Sequence, residues 1–470
     1  MRIQFATQSY RSKSLPVSAQ RVVNMYAAAQ PKDAKSDIAL FGDAGVGDFA
    51  VCGNGPVRAM HLLGGVLHAV SGGTLYQVAR NGTATAVGST ILGSDPVSVD
   101  DNGDQLAIVN GSNGYIFSEA SGFQLIADAD FHAAGSVTYM DGRFVFDRSG
   151  TNEFFISDTL DGTAYSDLFA SAEWKSDNVV KVLNHLQTLY VMGATTVEPW
   201  YSSGAANFPF QRIEQAGVDR GIIGANAAVS EDQTLYMIGS DRIAHRIAAG
   251  QITPISTDAL NEAWQDYARV SDAHMFSFTF DGHRFIVVTF PSVPATFLFD
   301  KNTGLWHERV SWDQNGRSLG RWRGNCAIAA YDKVLIGDAF SGRIGYLDKN
   351  LFTEWGNTIQ VELISPPIHA DGARAEMPWF ELDIETGVGL ASGQGSDPQI
   401  MLSISDDGGH TWSDQELWRS MGVLGAYKTR LRWDRLGGFE ESRLLKVTIA
   451  DPVRRTIIAA RCPGLRAARI

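Results

Sequence analysis

Only three cysteines occur in 470 residues, Cys52, Cys326 and Cys462. Their number is odd and their spacing wide, which excludes a disulfide framework and a thiolate metal site and fits synthesis in a reducing compartment. No apolar run approaches the ~20 residues that cross a bilayer, so no membrane partner is expected. The N-terminus lacks the apolar h-region of a secretory signal. Basic residues are the scarcer charge, 39 Lys and Arg against 52 Asp and Glu, for a net −13. That balance excludes a general electrostatic grip on nucleic acid, which needs clustered cations. It leaves open an acidic wall past which a polyanion slides, or simple solubility.

The recognisable chemistry-bearing patterns are missing too. There is no Walker A loop, no G-x-G-x-x-G opening a helix and no G-x-S-x-G elbow. The ten histidines are scattered without metal-ligand spacing. Glycoside hydrolysis needs two convergent carboxylates, or a Tyr nucleophile with a base. The candidates Asp141, Asp147, Asp158, Asp281 and Asp300 mostly fall in hairpin turns, where Asp has local work. No catalytic, cofactor-binding or metal-ligating residue is assigned, and no cofactor is expected.

What the chain does contain is a repeated phrase. A turn rich in Asp, Gly and Asn precedes a short β-branched or aromatic run, then a second turn and a second run. Copies begin at Gly64 (GGVLHAVSGGTLYQV), Asp104, Gly142, Gln187, Gln233, His283 and Lys333. Their spacing of roughly 40–50 residues is that of propeller blades. One hairpin cannot bury both faces, so radial stacking must supply the core. The reading is all-β: a β-propeller of six or seven blades over 56–350 and a β-sandwich-like platform domain over 351–470. Residues 1–55 read as an arm outside the repeat, whose VVNMY strand pairs with the C-terminal domain. TDALNEAWQDYARV, with Thr257 or Asp258 as N-cap, predicts a helix, and TAYSDLFASAEW has a helical look.

Two local patterns invite a functional reading. Ser405, Asp407, Gly409, Thr411 and Trp412 form an Asp-box, the hairpin familiar from sialidase-type propellers. Physically it is a staple: Asp407 accepts from turn amides, Gly409 takes positive φ and Trp412 packs on the flank. The second is Trp200-Tyr201 with the following SSGAANFPF loop, where Phe208 and Phe210 flank a proline. These four aromatics are candidates for a partner or inter-subunit contact, or for packing within their own blade. Trp174, Trp200, Trp306, Trp322, Trp355 and Trp412 suit either a sugar-stacking surface or blade cores.

Several phrases together resemble the tail hub, or nozzle, proteins of short-tailed phages (podoviruses), also called packaged-DNA stabilisation proteins. They are VVNMYAAAQPK, GRFVFDRSGTNEFFISDTLDG (142–162), LQTLYVMGATTVEPWYSSGAANFPFQRIE (186–214) and the closing LRWDRLGG…RLLKVTIADP. The strand ending Val197-Glu198-Pro199-Trp200-Tyr201 is the most specific of them. The resemblance implies a structural virion-tail subunit, assembled in the host cytoplasm. Its implied assembly is a homohexameric ring below the portal-adaptor ring that extends the DNA channel and helps retain packaged DNA. Implied partners are tailspikes or tail fibres, a distal plug or needle, and genomic DNA passing through the lumen without specific binding. The competing readings are a propeller glycosidase or sialidase and a carbohydrate-binding protein.

Overall fold

The computed structural model describes residues 2–3, 5–205, 208–313, 318–370, 373–414 and 417–463. Seven four-stranded antiparallel sheets follow one another in chain order, so the propeller has seven blades. Blades 1 to 6 span 57–88, 98–125, 137–171, 179–212, 228–254 and 274–308. The seventh takes three strands from 324–348 and its outer strand, Gly45–Val51, from near the start of the chain. The expectation that residues 1–55 stay outside the repeat is therefore corrected. That strand ties the first-made and last-made parts of the propeller together, burying Val46 and Ala50 against blades 6, 7 and 1. Burial of a Val-sized side chain stabilises by about 1.5–3 kcal/mol.

The first strand of each blade is innermost and its free edge faces the axis. Its backbone donors therefore need partners that no sheet neighbour supplies. Small polar side chains of the preceding blade meet that need. Ser98 Oγ accepts from Val137 N (3.0 Å), Ser136 Oγ from Val182 N (2.9 Å) and Thr138 Oγ1 from Asn184 N (3.0 Å). This belt, together with apolar clusters wedged between blades, such as Leu106, Ile108, Tyr115 and Phe117, fixes the blade spacing.

On one face the first and second strands of six blades join through two-residue turns with both residues at positive φ. They are Gly64-Gly65, Asp141-Gly142, Leu186-Gln187, Asp232-Gln233, Asp281-Gly282 and Tyr331-Asp332. Such turns match the right-handed twist of a hairpin. Long connections lie on the opposite face. One carries the helix α1 (Asp258–Gln265), capped by Thr257 Oγ1 accepting from Leu260 N (3.4 Å) and burying Leu260 and Trp264. The TAYSDLFASAEW segment is not helical. Residues Asp161–Ser171 form the outer strand of blade 3, paired across two register shifts with Glu153–Asp158. Ladder pairing and burial of Tyr165 outweigh the helix propensity of its Ala and Leu residues.

The second domain is a sandwich. One sheet runs Met25–Ala29, Ile38–Gly42, Thr456–Arg461, Trp379–Ile384, Leu431–Asp434. The facing sheet runs Ala19–Val23, Val361–Ile364, Ser442–Ile449, Gln399–Ser405, Leu417–Ser420. Phe380 and Trp433, stacked at 5.6 Å, centre the core between them. Val23 also bridges in parallel to Glu308 of blade 6, making one continuous sheet across both domains. Beside this bridge Arg21 donates to Glu308 (3.0 and 2.5 Å) and to Glu362 (2.8 Å), one carboxylate from each domain. Asp43, fully buried, lies 3.5 Å from His307 and near Arg309 and Arg455. Burial alone would raise its pKa. His307 and the two arginines overcome that and hold the carboxyl below its usual range.

Candidate functional site

The concavity shared by all blades is the axial cavity, about 510 Å³, lined by the inner strands. Its polar groups come from different blades and bond different partners. Burial pushes Lys181 down to about 8, opposed by Asp147, while its Nζ donates to Ala225 O (2.9 Å). Burial likewise takes His274 down to about 4, and its Nε2 donates to Asn325 O (2.6 Å). Asp100 is raised by burial, although Tyr139 N (2.7 Å) and Thr138 Oγ1 (3.2 Å) both donate to it.

His61, Asp100 and Asp101 are the group of described residues whose ligand atoms, within 4.8 Å of one another, could hold a metal ion. Both Asp100 oxygens are already engaged, one by Asp101 N (2.9 Å) and the other by the neighbouring strand. His61 Nε2 lies 2.6 Å from Asp101, so local hydrogen bonding explains the trio. The carboxylates singled out from sequence are spread round the ring. Asp147 and Asp300 are buried and bind turn groups: Gly135 N and Ser136 for Asp147, His283 (2.8 Å) and Thr303 (2.9 Å) for Asp300. Asp141 and Asp281 occupy the two-residue turns of blades 3 and 6.

The Asp-box hairpin follows the strand Gln399–Ser405 in the sandwich. Asp407 accepts from Ser405 Oγ (2.7 Å), Thr411 N (2.9 Å) and Thr411 Oγ1 (2.5 Å), and Ser405 Oγ accepts from Gly409 N (2.8 Å). Gly408 and Gly409 have φ of 74° and 96°. The Thr411 hydroxyl, then the Thr411 amide and Ser405, hold the exposed Asp407 carboxyl well below the usual range. Trp412 lies along Ala19, Ile364 and Leu444 with Lys446 over its ring, covering the joint made by the N-terminal strand.

The aromatic loop is placed otherwise than an exposed anchor requires. Phe210 is buried, and Phe208 is partly buried against Phe154 (5.6 Å, edge-on) and Phe210 (6.0 Å). Trp200, also buried, meets Phe154 edge-on at 5.0 Å. Tyr201 alone of the four is exposed. Three of the four aromatics thus fill the wedge between blades 3 and 4. Glu198, one residue before Pro199, is buried and raised by that burial, and accepts from Trp174 N (2.8 Å). Of the other tryptophans, Trp306, Trp322 and Trp355 are core residues, and Trp174 is exposed.

Sequence reasoning missed the inter-blade belt and the paired charges at the domain junction. Isolated Ser and Thr at inner-strand positions are their only trace in sequence. The junction charges lie 287 and 341 residues apart for Arg21 with Glu308 and Glu362.

Fold and site together define a propeller–sandwich protein whose polar clusters are engaged in holding turns, blades and domains together. Family models agree with both halves: "Bacteriophage P22 Gp10, beta-propeller" matches residues 1–352 and "Bacteriophage P22 Gp10, beta-sandwich" matches 360–463. The chain belongs to this Gp10 family. It is similar to the tail hub protein gp10 of Salmonella phage P22, 23% identical over 337 residues, or 66% of this chain and 67% of that one. Among solved structures, the computationally designed Ika8 protein is similar over 74% of this chain and 98% of its own at 10% identity (TM-score 0.38). PorZ of Porphyromonas gingivalis is similar over 70% and 44% at 13% identity (TM-score 0.37).

Proposed function

We propose that this protein is a structural subunit of a phage tail hub rather than an enzyme. The observation that carries the reading is the match of both domains, in order and over almost the whole chain, to the Gp10 family. In this reading copies form a ring, six-fold by the resemblance, beneath the portal and its adaptor. The ring extends the DNA channel, helps to retain the packaged genome and offers surfaces to spikes or fibres. The net charge of −13 supports a lumen that neither binds nor brakes DNA.

The retaining role is tested with filled heads that carry portal and adaptor but no tail. Adding the purified chain, with its plug component, is expected to protect the packaged DNA from nuclease. Unchanged nuclease sensitivity overturns the retaining role. Turnover of a sialoside or other glycan by the purified chain would overturn the structural reading and return the Asp-box to an enzymatic one.

A further inference from the structure

On the face of the two-residue turns, two leucines stand where leucine is doubly unfavourable. Leu160 and Leu186 have φ of 59° and 52°, in the left-handed region suited to Gly or Asn. Both are also exposed, at 64% and 65%. Both lie near the Asp141-Gly142 turn of blade 3. Leu160 N donates to Gly142 O (2.7 Å), and its side chain lies beside the Asp141-Gly142 turn. Asn184, two residues before Leu186, donates to Tyr139 O (2.9 Å), two residues before Asp141. Ser202 Oγ of blade 4 also donates to Asp141, tying the two blades together at this turn.

The charge around this patch differs from that on the rest of the same face. Over blades 5 to 7 the carboxylate of each two-residue turn is paired, Asp232 with Arg284 and Lys301, Asp281 with Lys349 and Asp332 with Arg80, while Asp348 at the end of the third strand of blade 7 accepts from Asn350 N (2.8 Å). Around the leucines, Asp141, Asp158 and Asp161 bind hydroxyl and amide groups of Ser202, Ser166, Thr163 and Gln105. Among the described residues no cation pairs with these three or with the nearby exposed Asp104. Arg143, which follows the Asp141-Gly142 turn, donates instead to Ser157 O (2.6 Å).

From this we infer that the rim of blades 3 and 4 is a docking surface for a protein segment bearing an apolar anchor flanked by lysine or arginine. Leu160 and Leu186 would receive the anchor, and the unpaired carboxylates would receive the cations. The sign of the charge argues against DNA as the occupant. The assignment stands whether or not copies of the chain form a ring.

The test uses the full chain and three labelled synthetic peptides of equal length: alternating Leu and Lys, alternating Leu and Glu, and alternating Ser and Lys. Fluorescence anisotropy is expected to show the Leu–Lys peptide binding at least tenfold tighter than either control. Leu160→Gly with Leu186→Gly should weaken it tenfold or more, and Asp141→Asn several-fold. Glycine relieves the left-handed strain at both positions and this offsets the entropy it adds to the unfolded chain, so the double variant should melt near the wild-type temperature. Undiminished binding by the double variant, equal binding of either control peptide, or a lowered melting temperature would each overturn the inference.

Discussion

The propeller and the sandwich build their sheets from opposite kinds of pairing. Every strand of blades 1 to 5 pairs only with the strand before or after it in the chain. In the sandwich, Ala19–Val23 pairs with Val361–Ile364, and Thr456–Arg461 with both Ile38–Gly42 and Trp379–Ile384. Local pairing leaves a readable rhythm of turn and strand, whereas long-range pairing leaves only strands. The two regions also depend on the first 55 residues in different ways. The propeller takes one strand from them, and the sandwich takes three of its principal strands.

The largest expected effect follows from that dependence. Deleting residues 1–51 removes the closing strand of blade 7 and exposes the apolar faces of both sandwich sheets. The truncated chain should aggregate or lack a cooperative melt. A soluble product with a wild-type transition would show that the N-terminal strands decorate the fold without completing it.

Trp433→Ala separates the regions. It empties the sandwich core, where the ring is fully buried and its Nε1 donates to Leu417 O (2.7 Å). A cost of about 3–5 kcal/mol is expected, read in calorimetry as a lowered sandwich transition with the propeller transition in place. Movement of both transitions together would mean that the domains melt as one unit.

Arg21→Met probes the joint itself, because it leaves Glu308 and Glu362 without their shared cation. A loss of about 3 kcal/mol is expected for breaking a largely buried pair. The joint is also acid-sensitive. For Glu308, burial raises the pKa but Arg21 overcomes it, so the folded value lies below the unfolded one, as for Asp43. Depressed carboxyls stabilise fully above their unfolded values, about 4 for Asp and Glu, and lose that contribution as pH falls through the folded values. Buried His274, which protonates only when unfolded, lowers stability between about pH 6.5 and 4 in wild type and variant alike, and below about pH 4 the wild-type urea midpoint should fall further as the Glu308 and Asp43 contributions go. Arg21→Met should fall less steeply, and parallel curves would exclude Arg21 as the source.

The smallest effects are local. Thr257→Ala should cost about 1 kcal/mol through the lost cap of α1. Asp407→Asn should loosen its hairpin, seen as faster amide exchange at Thr411, with glycan binding no different from wild type.

How much of this was legible follows from particular residues. The hairpins beginning at Gly64, Gly142 and Gln233 announced themselves because turn and strand alternate within fifteen residues. Thr257 announced α1 in the same way, through a cap beside apolar residues at helical spacing. Blade 7 misled because its fourth strand, Gly45–Val51, lies nearly 300 residues from its partner Arg343–Asp348. Asp161–Ser171 misled because two register shifts break the alternation that marks a strand. Phe208 and Phe210 beside Gly204 and Pro209 suit a contact or blade packing equally in sequence, because the residue that makes their pocket, Phe154, lies in the preceding blade. The contrast between paired and unpaired carboxylates on one face was invisible, since Asp232 and Asp141 occupy the same kind of turn.

Assembly of the proposed ring can be seen by imaging. Negative-stain micrographs of the purified chain mixed with its cognate portal–adaptor complex should show an added ring coaxial with the portal. Its lumen should be wide enough for duplex DNA. Single copies scattered on the adaptor, or no added density at saturating concentration, would rule out the proposed ring.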